Sequence, residues 1–314
     1  MSNPPSLHIQ TPVFRDAEVD ATLGKSVWLK MECLQATGSF KIRGVGLLCQ
    51  ELQSAGCTRF VSSSGGNAGY AVAYAGRELS LPVLVVVPST TPESTRRQLV
   101  LMGAEVRVGG DVWDEADVKA RELASEDGAA YIPPFDHPTL WRGHSSLVDE
   151  VAASHGKPDL VVVTVGGGGL LCGVLEGMHR NNWRDVPLVA VETVGAESLN
   201  AAISAGEAVE LAAITSIAKC LGARRVADAA LAWTRRHPVR SVVVSDSAAV
   251  MGCLEFANRH RLLVEPACGA GLSLIYDGAE CLSEAERILI VVCGGISVDF
   301  DQLNGWVAQT RART

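Results

Sequence analysis

One lysine, Lys41, lies in the run Thr37-Gly38-Ser39-Phe40-Lys41-Ile42-Arg43-Gly44, between an aromatic and an aliphatic residue and at the head of an apolar stretch. That is poor company for a solvated charge. It suits an amine at the mouth of a buried site, where desolvation favours the neutral, nucleophilic form. Such an amine condenses with an aldehyde to give a Schiff base. The plainer alternative is a lysine on a first helical turn, its stem along apolar surface and its charge in water.

Three other stretches carry residue types suited to chemistry. Gly166-Gly167-Gly168-Gly169 follows a strand-like run and precedes a helical one. Consecutive residues without Cβ expose their N–H groups at the positive end of a helix dipole, which cradles a phosphate. The run lacks both the G-x-G-x-x-G pattern of dinucleotide sites and the Gly-Lys-Ser/Thr ending of a P-loop, which speaks against dinucleotides and nucleoside triphosphates. A flexible turn or close strand–helix packing is the alternative. Ser63-Ser64-Gly65-Gly66-Asn67-Ala68-Gly69 has the same strand-to-helix context. Its main-chain N–H groups could hold a carboxylate and Asn67 could bond a phenolic oxygen, although these are also ordinary turn residues. Cys293 ends the most apolar strand-like run of the chain, and taken alone it reads as a buried structural thiol.

The elements that must hold these residues alternate. Strands are predicted at 26–31, 59–62, 83–87, 105–108, 130–132, 160–165, 187–191, 241–245 and 287–292 from their β-branched runs. Between them fall a helix capped by Ser39, helices near 68–79, 92–102, 113–124, 140–153, 170–179 and 225–236, one that Asp246 can cap, and one opened by Glu265–Gly271. Such βα alternation implies twisted parallel sheets with helices on both faces. Pro133-Pro134-Phe135-Asp136-His137-Pro138 marks a composition break. The expected division is a small domain at 36–137 and a large one formed by 1–35 and 138–314.

Composition sets the broad class. The chain has 314 residues, 47% hydrophobic and 20% charged with 31 glycines, the profile of a globular α/β enzyme. A net charge of −8 and the absence of basic blocks argue against nucleic acid or a membrane surface as partner. Nine scattered cysteines without Cys-x-x-Cys spacing suit reduced thiols in a cytoplasm, and no signal peptide or membrane-spanning run is expected.

Taken together, these motifs resemble the fold-type II pyridoxal-phosphate enzymes, tryptophan synthase β-like in fold, and within them the serine/threonine dehydratase group. Glu32 with Thr37–Gly44 resembles that group's lysine signature, Ser64–Gly69 its substrate-carboxylate loop, Gly166–Gly169 its phosphate loop, and Cys293-Gly294-Gly295 the segment meeting the pyridine nitrogen. Tyr131–Asp136 and Val264–Gly269 are similar to the animal-type L-serine dehydratases in particular. The resemblance implies that Lys41 carries pyridoxal phosphate, that Phe40 packs on its ring, that Asn67 bonds its 3-oxygen, that Gly166, Gly167, Gly168, Gly169 and Leu170 hold its phosphate, and that Cys293 faces its ring nitrogen. It places Ser39, Ser64, Gly65, Asn67 and Ala68 around the substrate, and a monovalent cation such as K⁺ at Glu192, Ala196, Ser198 and Leu221. From the residue alone, Glu192 after a strand is more often just a surface or capping carboxylate.

The implied activity is β-elimination of L-serine to pyruvate and ammonia, with L-threonine to 2-oxobutanoate beside it, by a cytoplasmic homodimer. The chain departs from the biosynthetic threonine deaminases and serine racemases at Ala68, where those carry histidine, and from cysteine synthases at Lys41-Ile42-Arg43, where those carry Lys-Asp-Arg. Racemase, another β-eliminating or β-replacing enzyme, and a non-catalytic binding protein on a retained fold are the alternatives. Gly65 does not rank serine against threonine, since one methyl is worth about 1–3 kcal/mol.

Overall fold

The computed structural model describes residues 5–126 and 128–312. In chain order the elements are β1 (Val13–Arg15), α1 (Ala17–Leu23), β2 (Ser26–Lys30), α2 (Lys41–Ser54), β3 (Arg59–Ser62), α3 (Asn67–Glu78), β4 (Val83–Val87), α4 (Glu93–Leu101), β5 (Glu105–Val108), α5 (Trp113–Ala124), β6 (Ala129–Tyr131) and α6 (Pro138–Ser154). They continue as β7 (Leu160–Thr164), α7 (Gly169–Arg180), β8 (Leu188–Thr193), α8 (Ser198–Ala205), α9 (Asp228–Thr234), β9 (Val239–Val244), α10 (Asp246–His260), α11 (Pro266–Tyr276), β10 (Arg287–Val291) and α12 (Phe300–Arg311). The chain divides into two compact units, Gln35–His144 with the segment ending at Ile9, and Gln10–Leu34 with Ser145 onward.

The first unit holds a four-stranded sheet in the order β5-β4-β3-β6, every pair parallel. The Val-rich β4 is buried at each position, so alternate residues face opposite layers. Val83, Val85 and Val87 pack with Ile42, Val45 and Leu48 of α2 and Ala71, Val72 and Ala75 of α3. Leu84 and Val86 pack with Ala116 and Ala120 of α5. The second unit holds a six-stranded sheet in the order β1-β2-β10-β7-β8-β9, parallel except for β1, which pairs antiparallel with β2 at one edge. β7 and β8 are buried throughout, as strands covered on both faces must be.

Two caps differ from expectation. Ser39 does not cap α2. Phe40 already has helical backbone angles (φ −54°, ψ −19°) and no side chain caps the helix, so the Ser39 hydroxyl is left buried without a hydrogen-bond partner. Asp246 is the first residue of α10, not its cap. Ser245 accepts from the Ala248 N–H at 3.1 Å, while the Asp246 carboxylate accepts from the Ser216 hydroxyl and the Ile217 N–H. Four elements went unpredicted. β1 is too short to show a period, and α1 and α12 carry weak apolar stripes. Both helices nonetheless had readable starts: Asp16 caps α1, and Asp299 and Gln302 form a reciprocal capping box on α12. The fourth, α8, lies between the strands expected at 187–191 and 241–245, where no helix was expected before 225.

Candidate functional site

Strand order locates the chemistry. In an open α/β sheet a ligand crevice forms beyond the carboxyl ends of strands where the winding direction reverses. In the first unit the chain winds β3, β4, β5 in one direction, and β6 then returns to the other side of β3. The reversal therefore lies between β3 and β6, and β3 leads directly into Ser63–Gly69. In the second unit β7, β8 and β9 run one way and β10 lies on the other side of β7. The loop after β7 is Gly166–Gly169, and Cys293 follows β10. The Ser63–Gly69 loop, the glycine run and Cys293 thus each lie at the switch point of their own unit.

Lys41 opens α2. Its Nζ donates to the Pro134 carbonyl, just past β6, and lies 5.2 Å from the Phe40 ring centroid. Phe40 in turn meets the buried His144 imidazole edge-to-face at 4.9 Å. Neither His144 ring nitrogen has a hydrogen-bond partner, and burial together with Lys41 and Arg43 holds the ring well below the ordinary histidine range, hence neutral. Gly44 makes this packing possible, because a Cβ there would come within 2.6 Å of both His144 Cε1 and the Leu140 carbonyl.

In the Ser63–Gly69 loop, Ser64, Gly65 and Gly66 are partly exposed, and Asn67 and Ala68 begin α3. No side chain caps α3. Gly69 is obligatory: a Cβ would sit 1.7 Å from the Ser64 carbonyl oxygen. A Cβ at Gly65 would meet the Thr91 methyl at 3.1 Å and Val87 at 3.3 Å, so the loop is tight on that side too.

The glycine run of the second unit is held by its backbone. Gly168 stands at the cap of α7 with φ +91°, and the Gly167 carbonyl accepts from Ala227 N at 3.1 Å. A Cβ on Gly168 would lie 2.5 Å from that of Ala230. No side chain caps α7, so the first N–H groups of Gly169 and Leu170 keep an open anion position at the helix N-terminus. Cys293 is buried, with Sγ 3.5 Å from the Thr164 hydroxyl at the end of β7. A hydrogen bond with Cys268, and burial, hold the Cys293 thiol far above its usual range, so it stays protonated.

Among the residues expected at a cation, Glu192 is fully buried, and its two carboxylate oxygens accept from Leu199 N and Asn200 N at 2.8 Å each. The capping role is therefore real. Burial pushes the Glu192 carboxyl up to about 7 despite those two N–H groups. The Ser198 hydroxyl beside this cap is buried without a partner, Ala196 is fully buried, and Leu221 packs against Gly166. No group of three or more His, Cys, Asp or Glu side chains assembles for a metal among the described residues.

Sequence reasoning did not single out the Pro134 carbonyl, His144, Thr164 or Cys268. A backbone carbonyl has no side-chain signature. The other three act through contacts between residues distant in sequence, although Thr164 ends the strand just before the glycine run, a position where a hydroxyl invites inspection.

Each unit by itself offers groups that fit a part of pyridoxal phosphate: the second an uncapped glycine cradle suited to a phosphate, the first an amine at the head of α2 suited to an aldehyde and an orphaned buried hydroxyl at Ser39. The chain belongs to the pyridoxal-phosphate dependent enzyme family, whose model matches residues 6–294. Among individual relatives, the L-serine dehydratase/L-threonine deaminase of Bos taurus is 45% identical, covering 95% of this chain and 94% of that protein. A serine dehydratase-like protein of Mus musculus is 47% identical, covering 94% and 93%. The crystal structure of a fungal L-serine ammonia-lyase from Rhizomucor miehei superposes with a TM-score of 0.91 at 34% identity, covering 98% of this chain and 99% of that one.

Proposed function

We propose that this protein is an L-serine ammonia-lyase, converting L-serine to pyruvate and ammonia and L-threonine to 2-oxobutanoate and ammonia. The observation that carries this reading is the intact lysine turn, with Lys41 at the head of α2, in a chain 45% identical over 307 residues to an L-serine dehydratase/L-threonine deaminase.

The chain's own residues divide the work. Lys41 holds the cofactor aldehyde and then, as a neutral amine, takes the proton from the substrate α-carbon. Phe40, braced by His144, would pack on the cofactor ring. Asn67 bonds the ring hydroxyl. Ser39, Ser64, Gly65, Asn67 and Ala68 surround the substrate, the N–H groups of the loop binding its carboxylate. The N–H groups of Gly166 through Leu170 hold the phosphate. Bound pyridoxal phosphate supplies the electron sink that makes the α-proton removable. Cys293, a thiol that stays protonated, would face the ring nitrogen of the bound cofactor and would be too weak an acid to charge it, a setting that would favour loss of the β-hydroxyl over transamination. The Lys41 ammonium returns the α-proton to the β-hydroxyl, which leaves as water, and addition of one water to the dehydrated product gives the 2-oxo acid and ammonia.

A K⁺ ion at Glu192, Ala196, Ser198 and the Leu221 carbonyl would neutralise a carboxylate that burial otherwise disfavours. A homodimer in the cytoplasm completes the reading. No helix among the described residues is long and apolar enough to cross a membrane.

The test is incubation of the purified protein with L-serine, L-threonine and D-serine, following 2-oxo acids by coupled assay and serine configuration by chiral separation. Pyruvate from L-serine is expected to be the main product. D-serine accumulating faster than pyruvate would replace the ammonia-lyase with a racemase.

A further inference from the structure

The switch point of the first unit contains a hydrogen-bonded cluster to which the chemistry above assigns no role. β3 and β6 are parallel neighbours, with Val61 opposite Tyr131 and the Ile132 N–H donating to the Val61 carbonyl at 2.8 Å. Beyond this pair the strands part. β3 leads through Ser63 into the Ser64–Ala68 loop, and β6 leads through Pro133 to Pro134, whose carbonyl accepts from Lys41. Asp117 of α5 spans the fork. Its carboxylate accepts from the Ser63 hydroxyl at 2.6 Å, from the Tyr131 hydroxyl, and from Arg121 Nε at 2.7 Å. Ser63 Oγ lies 2.9 Å from Tyr131 Oη, and the Arg121 guanidinium covers the Tyr131 ring at 4.1 Å.

Ser63 is fully buried, so its hydroxyl has no water to turn to and its rotamer is set by Asp117. Burial opposes ionisation of Asp117, but the hydrogen bonds from Ser63, Tyr131 and Arg121 outweigh it and hold the carboxyl below the usual range. The clamp is therefore a permanent carboxylate at neutral pH, and charge-assisted hydrogen bonds of this kind are the stiff ones. A core that needed only filling would place apolar side chains here, as Ala116 and Ala120 do one position and three positions away on the same helix.

We propose that Asp117 and Tyr131 are positioning residues for the substrate carboxylate, fixing the root of the Ser64–Ala68 loop relative to the β6 end that anchors Lys41. The proposal rests on the ammonia-lyase reading and on that loop as the carboxylate binder. Both residues act through Ser63, whose hydroxyl they hold. A loop allowed to drift binds the carboxylate less well in ground state and transition state alike, which raises KM and leaves kcat nearly unchanged.

The experiment uses the holoenzyme of wild type, Asp117→Asn, Tyr131→Phe and the double variant. Binding of L-alanine, which keeps the α-amino and carboxylate groups but lacks the leaving hydroxyl, is followed through the cofactor absorbance. In Asp117→Asn the L-alanine Kd and the L-serine KM are expected to rise together by about tenfold, and in Tyr131→Phe by about threefold, with kcat within about threefold of wild type. The double variant should fall short of the product of the two singles, since both act through one loop root. The pyridoxal-phosphate Kd and the thermal midpoint should stay near wild type in both single variants. An unchanged L-alanine Kd, or a loss of cofactor affinity and thermal midpoint in parallel with it, would overturn the positioning role. A wild-type protein that binds cofactor but yields no 2-oxo acid from L-serine would instead overturn the functional reading, and the proposal with it.

Discussion

Each unit uses the same device, a parallel sheet whose winding reverses beside the strand that feeds its key loop, but the two loops are fastened differently. After β3, the Ser63–Gly69 loop is fixed through side chains, with Asp117 gathering Ser63 and Tyr131 across the fork. After β7, the glycine run is fixed through its backbone, by the Gly167 carbonyl and by Gly168 pressed onto Ala230 at φ +91°. The difference suits the ligands proposed for them. A cofactor phosphate stays in place from one turnover to the next and can be met by rigid N–H groups. A substrate carboxylate arrives and leaves in each turnover, so its loop needs hydroxyls and an amide as well, and these need a brace. Even the bridges between neighbouring strand ends follow the pattern: an ionised network in one unit, and a Thr164–Cys293 contact between neutral groups at 3.5 Å in the other.

Five perturbations sharpen the contrast, from largest effect to smallest. Lys41→Ala leaves both loops intact and removes the amine; pyruvate formation should fall about 10⁴-fold or more while the thermal midpoint holds. Substantial residual turnover would refute the role of Lys41. Gly69→Ala and Gly168→Ala each break one loop. The first puts a methyl 1.7 Å from the Ser64 carbonyl, the second puts one 2.5 Å from Ala230 at a left-handed φ, and each should lower stability by about 2–3 kcal/mol. Denaturant titration measures that loss. Cofactor affinity should drop in Gly168→Ala, and the inverse result would reverse the assignments of the two loops.

On the proposed reading the Ser64 hydroxyl adds a hydrogen bond to the substrate carboxylate beside the loop N–H groups; Ser64→Ala would remove it, worth about 1.5–3 kcal/mol, so KM for L-serine should rise roughly tenfold or more with pyridoxal-phosphate affinity unaltered. The smallest effect concerns Glu192, whose folded-state value of about 7 lies above its reference of 4.5. Such a carboxyl contributes its full stability below the unfolded value and loses it as pH rises through the folded one. In buffer free of K⁺ the thermal midpoint should fall by about 5 °C between about pH 5 and about pH 8. Added KCl should remove most of that fall against an equal concentration of tetramethylammonium chloride, and Glu192→Gln should flatten it. A pH profile identical in both salts would argue against a cation at Glu192.

The loops and the lysine turn were legible in the linear chain because they depend on local properties. Four adjacent glycines, a lysine between Phe40 and Ile42, and the β-branched runs around them each need few neighbours to be read. Caps were less legible. Ser39 and Asp246 are the right residue types in nearly the right places, but a shift of one residue in the helix start moved the cap to Ser245 and left Ser39 without that role.

What the amino-acid sequence determined by itself was the alternation of strands and helices and the chemistry each loop can offer, since both follow from side-chain period and backbone freedom over a few residues. What only the tertiary structure decided was strand order and everything that depends on it. That β6 lies beside β3 and β10 beside β7 is a matter of pairing between segments tens of residues apart, and no local pattern encodes it. This pairing puts the Pro134 carbonyl at Lys41, Asp117 across two strand ends and Thr164 against Cys293. Burial then fixed their charge states, leaving His144 neutral, Cys293 protonated and Asp117 ionised, because desolvation and hydrogen bonding act through neighbours that folding alone supplies.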